Sequence, residues 1–303
     1  MSAASAEPRS RPSGEVLGII LRIGSTLAFA AMGTCIKALG DTVALGQVVF
    51  FRSAVALVPL VLFLAWSGDF PRGLATRRPF GHVARSLLGA CAMFTSFATI
   101  RLLPFAEAAL LSYLAPVMLT LLGWALLGES LNRRRIGGVA LGLAGGAAFC
   151  LPALSGTFAE GVLLGFILGL ATAFLTAGAL IQVRRLTLAG ESAGAIAFWF
   201  AVVSAVGGLM TLPAGWVMPD APQTALLVGA GVAGGVAHIL MTLSFRHAEA
   251  AALAPFEYLS ILWAGVAGVV VFGEVPNWAF LFAAPLILAG SFVATPKNRR
   301  RRA

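Results

Sequence analysis

Charge is what this chain has least of. Asp and Glu number 12 and Lys and Arg 21 in 303 residues, a charged share of 11%, where soluble proteins carry roughly 25%. With 59% hydrophobic residues and a mean hydropathy of +0.93, so few charges cannot cover the surface of a water-soluble domain. Histidine is also scarce: His82, His238 and His247 are too scattered for a metal site. No phosphate-cradling Walker loop, zinc-ligand histidine pair or serine elbow occurs, so no enzyme chemistry, metal or cofactor is expected, and ATP-driven pumping would need a separate chain. Cys35, Cys91 and Cys150 lie in apolar segments without ligand spacing and read as small buried hydrophobes.

What the chain has instead is long apolar runs. Polar breaks divide it into ten segments: Val16–Lys37, Ala44–Trp66, His82–Ile100, Phe105–Leu127, Ile136–Leu154, Gly161–Val183, Ser192–Pro213, Ala221–Phe245, Ala248–Phe272 and Trp278–Thr295. Each is close to the ~20 apolar residues that cross a bilayer as a helix. Residues 1–15 are polar and lack a small-residue cleavage site, so the run from Val16 is expected to be a retained span rather than a signal peptide. The predicted fold is an all-α integral membrane protein with ten transmembrane helices.

The net charge of +9 could suggest nucleic acid, but its placement suggests lipid. With the N-terminus inside, the inner loops hold Arg72, Arg77, Arg78, Arg133, Arg134, Arg135, Arg184, Arg185 and Arg246, followed by the basic tail Lys297–Arg302. The outer connections hold Lys37 and Arg101 at helix ends, and the acids Glu160 and Asp220. Basic residues favour the cytoplasmic side, so both termini are predicted to be cytoplasmic in a bacterial-type inner membrane, with the bilayer and not nucleic acid as the partner.

The chain also matches itself at an offset of 145 residues. Glu129 falls on Glu274, Asn132 on Asn277, Arg101 on Arg246, and Tyr113-Leu114 on Tyr258-Leu259, the only two tyrosines coinciding. Five spans per half is an odd number, so the copies must enter the membrane from opposite faces. The expected organisation is a tail over 1–15, a first five-helix repeat over 16–154, an inverted second repeat over 155–295 and a basic tail over 296–303. Inverted repeats of this kind can expose a midplane site to either side in turn.

Two five-helix halves, each closing its fourth helix with Gly-Glu before a Gly-rich fifth, resemble the EamA family of the drug/metabolite transporter superfamily. Ser112-Tyr113-Leu114-Ala115-Pro116, Leu127-Gly128-Glu129 and Gly142-Leu143-Ala144-Gly145-Gly146 carry the likeness, with Ile36-Lys37 and Phe51-Arg52. The resemblance implies a secondary carrier with a central cavity lined by spans one to four and six to nine. The Tyr-x-x-Pro of span four also resembles YddG-type exporters of aromatic and other amino acids, though the second copy carries its proline earlier, at Pro255.

Polar groups within apolar spans are costly and are therefore the candidates for function. Glu257 lies about nine residues into span nine, roughly 13 Å along the helix, just after Pro255, which can kink it. It could take up a proton or meet a substrate ammonium, or hold the kink. His238 sits mid-span and Arg52 two turns from the outer surface; Arg52 could bind a carboxylate or pair with Glu107. Lys37 and Arg22 are expected to snorkel to opposite interfaces. Tyr113, Tyr258, Trp199 and Trp263 offer rings with a polar handle, alongside Ser96 and Met93. Glu129 and Glu274 act as gates or as turn residues, and Pro116 shapes span four. The expected activity is export of small metabolites, foremost amino acids including aromatic ones, by a monomer. S-adenosylmethionine or nucleoside-type carriage, multidrug export, a channel, and a non-transporting scaffold or membrane enzyme are the alternatives.

Overall fold

A computed structural model describes residues 12–66, 68, 70–128, 132–154, 161–248, 250–276 and 278–294. Among these there are twelve α-helices and no strand: α1 (Pro12–Leu39), α2 (Leu45–Trp66), α3 (Pro79–Leu102), α4 (Phe105–Ser112), α5 (Ala115–Leu127), α6 (Arg133–Leu154), α7 (Val162–Leu188), α8 (Ala193–Leu209), α9 (Ala221–His247), α10 (Ala250–Glu257), α11 (Leu259–Phe272) and α12 (Trp278–Ala294). Among the described residues, seven helical stretches are long and apolar enough to cross a membrane: 14–39, 45–66, 79–102, 105–126, 162–188, 221–247 and 255–272. α8 and α12 are apolar but shorter.

Local chemistry sets the starts. Asp220 opens α9 with a capping box, its side chain accepting from Gln223 N–H at 2.8 Å while Gln223 returns a bond to the Asp220 N–H. Ser192 caps α8 by accepting from Ala195 N–H at 3.0 Å. At the other end of the rods, α5 and α11 each stop on a glycine at φ 65°, Gly128 and Gly273. That left-handed conformation suits glycine because it has no Cβ to clash.

The fourth and ninth predicted spans are each divided in two, at the same repeat position. Tyr113 and Leu114 N–H bond to the carbonyls three residues back, at 3.0 Å each, and Pro116 has no N–H to offer Ser112. The second break follows Pro255 and falls at Tyr258, whose carbonyl accepts from Ile261 N–H at 3.2 Å. The expected kink at Pro255 is thus displaced to the tyrosine: Pro255 itself lies inside α10.

The packing has a regular pattern. α1 packs on α9, as α3 does on α7; α2 packs on α9, as α8 does on α3; α1 meets α10 and α11, as α7 meets α4 and α5. Exchanging each helix with the one six places along turns every one of these pairs into another. α2 with α8 and α6 with α12 are the pairs that map onto themselves. α6 and α12 come together backbone to backbone: a Cβ on Gly290 would lie 2.3 Å from Gly142 N. Large apolar side chains such as Phe80 and Val270 face outward, 89% and 76% exposed, as expected where the surroundings are lipid.

Candidate substrate cavity

A cavity of about 340 Å³ opens among α1, α2, α3, α4, α7, α8 and α9. Its polar groups are Arg52, Arg85 and His238, with Ser96, Ser112, Thr172 and Thr176; Phe29, Met93, Phe97 and Phe200 form apolar walls. Of the residues predicted from sequence, Arg52, His238, Ser96 and Met93 line it.

Arg52 is 5% exposed and places Nη2 3.1 Å from His238 Nε2. A guanidinium only donates, so His238 Nε2 accepts, its proton sits on Nδ1, and the ring is uncharged. The ring packs edge-on against Phe29, centroids 5.1 Å apart. The expected Arg52–Glu107 pair does not form, because the Arg52 head turns toward α9; Glu107 is buried at 1% on α4. Arg85, which sequence reading missed, lies over the Phe200 ring with Cζ 4.5 Å from the centroid. Its Nε and Nη1 are buried without a hydrogen-bond partner, as is Arg52 Nε. Gly89 makes this placement possible, since a Cβ there would stand 2.2 Å from Arg85 Nη1 and 2.7 Å from the Phe200 ring.

The remaining candidates lie elsewhere. Tyr113 and Tyr258 stack on each other, centroids 5.2 Å apart, at the two helix breaks. Tyr113 Oη bonds to Ser260 Oγ at 2.7 Å and donates to the Glu257 carbonyl. The Glu257 carboxylate pairs with Arg22 Nη2 at 2.5 Å, so Arg22 does not snorkel: it is 8% exposed and points across at α10. Trp263 Nε1 donates to Thr26 Oγ1 at 3.2 Å and Trp199 Nε1 to the Leu74 carbonyl at 3.1 Å, both as ties between segments.

Two polar clamps sit at opposite ends of α3, and each joins one half of the chain to the other. At its C-terminal end Lys37 does not snorkel either: its Nζ is 2.7 Å from Glu274 Oε1 and donates to the carbonyls of Ile100 and Leu103 at 3.0 and 2.7 Å. Glu274 Oε2 accepts from Phe105 N–H at 2.8 Å, closing the start of α4. At the N-terminal end Glu191, between α7 and α8, accepts from Arg77 N–H at 2.9 Å and meets His82 Nε2 at 3.0 Å. The His82 hydrogen bond, followed by that from Arg77, holds the Glu191 carboxyl below the usual carboxylate range. Glu129 lies outside the described residues, and Pro116 stands in the first turn of α5.

Residues 16–149 match the EamA-like transporter family. That segment is an EamA-like transporter domain. It is 24% identical over 287 residues to the pseudopaline exporter CntI of Pseudomonas aeruginosa (strain UCBPP-PA14), covering 93% of this chain and 97% of that one. It is 26% identical to the S-adenosylmethionine uptake transporter of Rickettsia prowazekii, over 83% of both chains. It is likewise 26% identical to the riboflavin transporter of Rhizobium johnstonii, over 96% of this chain and 95% of the other. A crystal structure with 24% identity superposes with a TM-score of 0.59 over 96% of this chain and 100% of its own, a likeness of fold. With an EamA-like domain and relatives named as transporters along most of its length, this chain is a multi-pass membrane transporter rather than an enzyme.

Proposed function

We propose that this EamA-type protein is a secondary carrier that exposes its central cavity to one side of an inner membrane and then to the other. Ten membrane-crossing rods arranged as two inverted repeats, over 16–154 and 155–295, are the frame for that motion, with the tails at 1–15 and 296–303 in the cytoplasm. The exchange of helix pairs between halves supports the repeat, and the arginine-rich loops support the orientation. The observation that carries the reading is the cavity itself: helices of both halves line it, and a clamp between the halves sits beyond each end of α3. Opening one end requires breaking one clamp while the other holds. The protein works as a monomer, since the cavity is complete within one chain.

The cargo is a small metabolite, with amino acids, aromatic ones included, the first to try. The names of relatives that handle S-adenosylmethionine, riboflavin and pseudopaline support a wider range of metabolites as the second reading. Proteoliposomes preloaded with unlabelled amino acid or nucleoside-type metabolite should take up the labelled compound by counterflow, at a rate that saturates. A current that rises linearly with concentration would mean a channel. Absence of counterflow for every compound tested would overturn the carrier reading.

A further inference from the structure

The cavity is cationic, and nothing described in it balances the charge. Arg22 faces Glu257 at 2.5 Å, Lys37 faces Glu274 at 2.7 Å and Arg101 faces Asp41 at 3.9 Å. Arg52 and Arg85 face no carboxylate among the described residues, and none lines the cavity they share. Taking a guanidinium out of water without a counter-charge is costly, so buried cations are normally paired. Among the described arginines with buried guanidinium nitrogens, the two that face no carboxylate are the two that reach into the cavity.

Their presentation is also organised. Arg85 is held flat in the slot between Gly89 and Phe200, with the Nε and Nη1 edge unpartnered. Arg52 is steadied through Nη2 by the uncharged His238 ring, and its Nε is unpartnered too. A planar guanidinium fixed in this way offers N–H groups in the geometry that a carboxylate accepts. Phe29, Phe97 and Phe200 supply apolar surface for the rest of the molecule.

Resting on the carrier reading, we infer that the cargo is an organic anion: a small molecule with one or two carboxylates, no compensating ammonium, and an apolar or aromatic body. Arg52 and Arg85 hold its carboxylates and determine specificity. A zwitterion leaves its ammonium beside two cations with no carboxylate to receive it, so amino acids are the poorer cargo.

The test uses the full-length purified protein and probes of similar size: phenylacetate and phenylsuccinate as anions, phenylalanine as zwitterion, phenylacetamide as neutral isostere. Thermal stabilisation reports binding by mass action. The anions should stabilise most and phenylacetamide least. Arg85→Gln and Arg52→Gln should weaken anion binding about tenfold or more, the cost of a lost charge-assisted hydrogen bond, without changing phenylacetamide. Arg85→Lys, which keeps the charge, should keep the preference for anions at reduced affinity, and guards against a fold defect in the glutamine variants. Equal stabilisation by phenylacetate and phenylacetamide, a preference for phenylalanine, or no stabilisation by either anion overturns the inference. Counterflow separates the two readings. Anions that bind and are never carried defeat the carrier and leave the charge preference standing; amino acids carried at a saturable rate with no preference for anions do the reverse.

Discussion

Replacing Glu274 by glutamine removes one charge from the clamp at the end of α1 and changes little else. The pair is close, 2.7 Å, and its side chains are 10% and 20% exposed. At an effective dielectric near 20, typical of such sites, the gross attraction is about 6 kcal/mol. Desolvation takes back most of this: exposed pairs are worth about 0–1 kcal/mol, and removing one partner of a fully buried pair costs about 3–5. Glu274→Gln falls between these limits, because the amide oxygen can still accept from Phe105 N–H and Lys37 keeps two carbonyl acceptors. The expected loss is about 2 kcal/mol, a roughly thirtyfold shift in any equilibrium that breaks the clamp. The assay is a double-mutant cycle of Glu274→Gln and Lys37→Met on unfolding stability, which isolates the pairwise energy. It is paired with maleimide labelling of a cysteine placed at Val43, fully buried at the same end, in a chain lacking its native cysteines. A coupling near 2 kcal/mol and faster labelling in Glu274→Gln are expected. A coupling below about 0.5 kcal/mol would refute the reasoning by showing the pair to be screened like an ordinary surface contact.

Other outcomes follow from single contacts. Gly290→Ala places a methyl group 2.3 Å from Gly142 N, a backbone atom that cannot rotate away, and should cost about 2 kcal/mol; Gly137→Ala, with nothing within 4 Å, should be neutral or stabilising, and equal melting temperatures for the two would contradict the packing. Tyr113→Phe removes the bonds to Ser260 and to the Glu257 carbonyl and should destabilise by about 1 kcal/mol; if the break is a hinge, transport rate falls more than cargo affinity, and counterflow measured across concentrations distinguishes the two. Because the folded-state pKa of Glu191 is depressed, its contribution is present above the unfolded carboxylate pKa and is lost as pH falls through the folded one. The melting-temperature gap between the parent chain and Glu191→Gln should therefore be larger at pH 7 than at pH 4, and a gap that does not change with pH would show that the carboxylate charge is not what matters.

The helices were legible because an apolar run long enough to cross a bilayer has little choice but to be helical. The coincidence of Tyr113 with Tyr258 was legible as well. Their place was not: they stack on each other where their helices break, apart from the residues that line the cavity. A helix apolar all round carries no stripe to say which face points inward, so periodicity could not orient either ring. Trp199 and Trp263 could not be oriented for the same reason. Arg52 and His238 were found because a polar side chain within an apolar span stands out. Arg85 carried the same signal, lying inside the third predicted span, and passed unnoticed among the basic residues at its start. The partners of Lys37, Arg22 and Glu257 were beyond reach, since each lies more than 60 residues away in the chain.

The contact of α6 with α12 has a practical consequence. Helices that meet backbone to backbone at Gly138 and Gly290 leave few side chains at the seam to change rotamer, and so little alternative arrangement to slip into. Spin labels at Gly137 and at the outward-facing Leu281 should therefore report one narrow distance whether or not cargo is bound. That pair supplies an internal ruler against which the movement of every other helix in the same molecule can be measured.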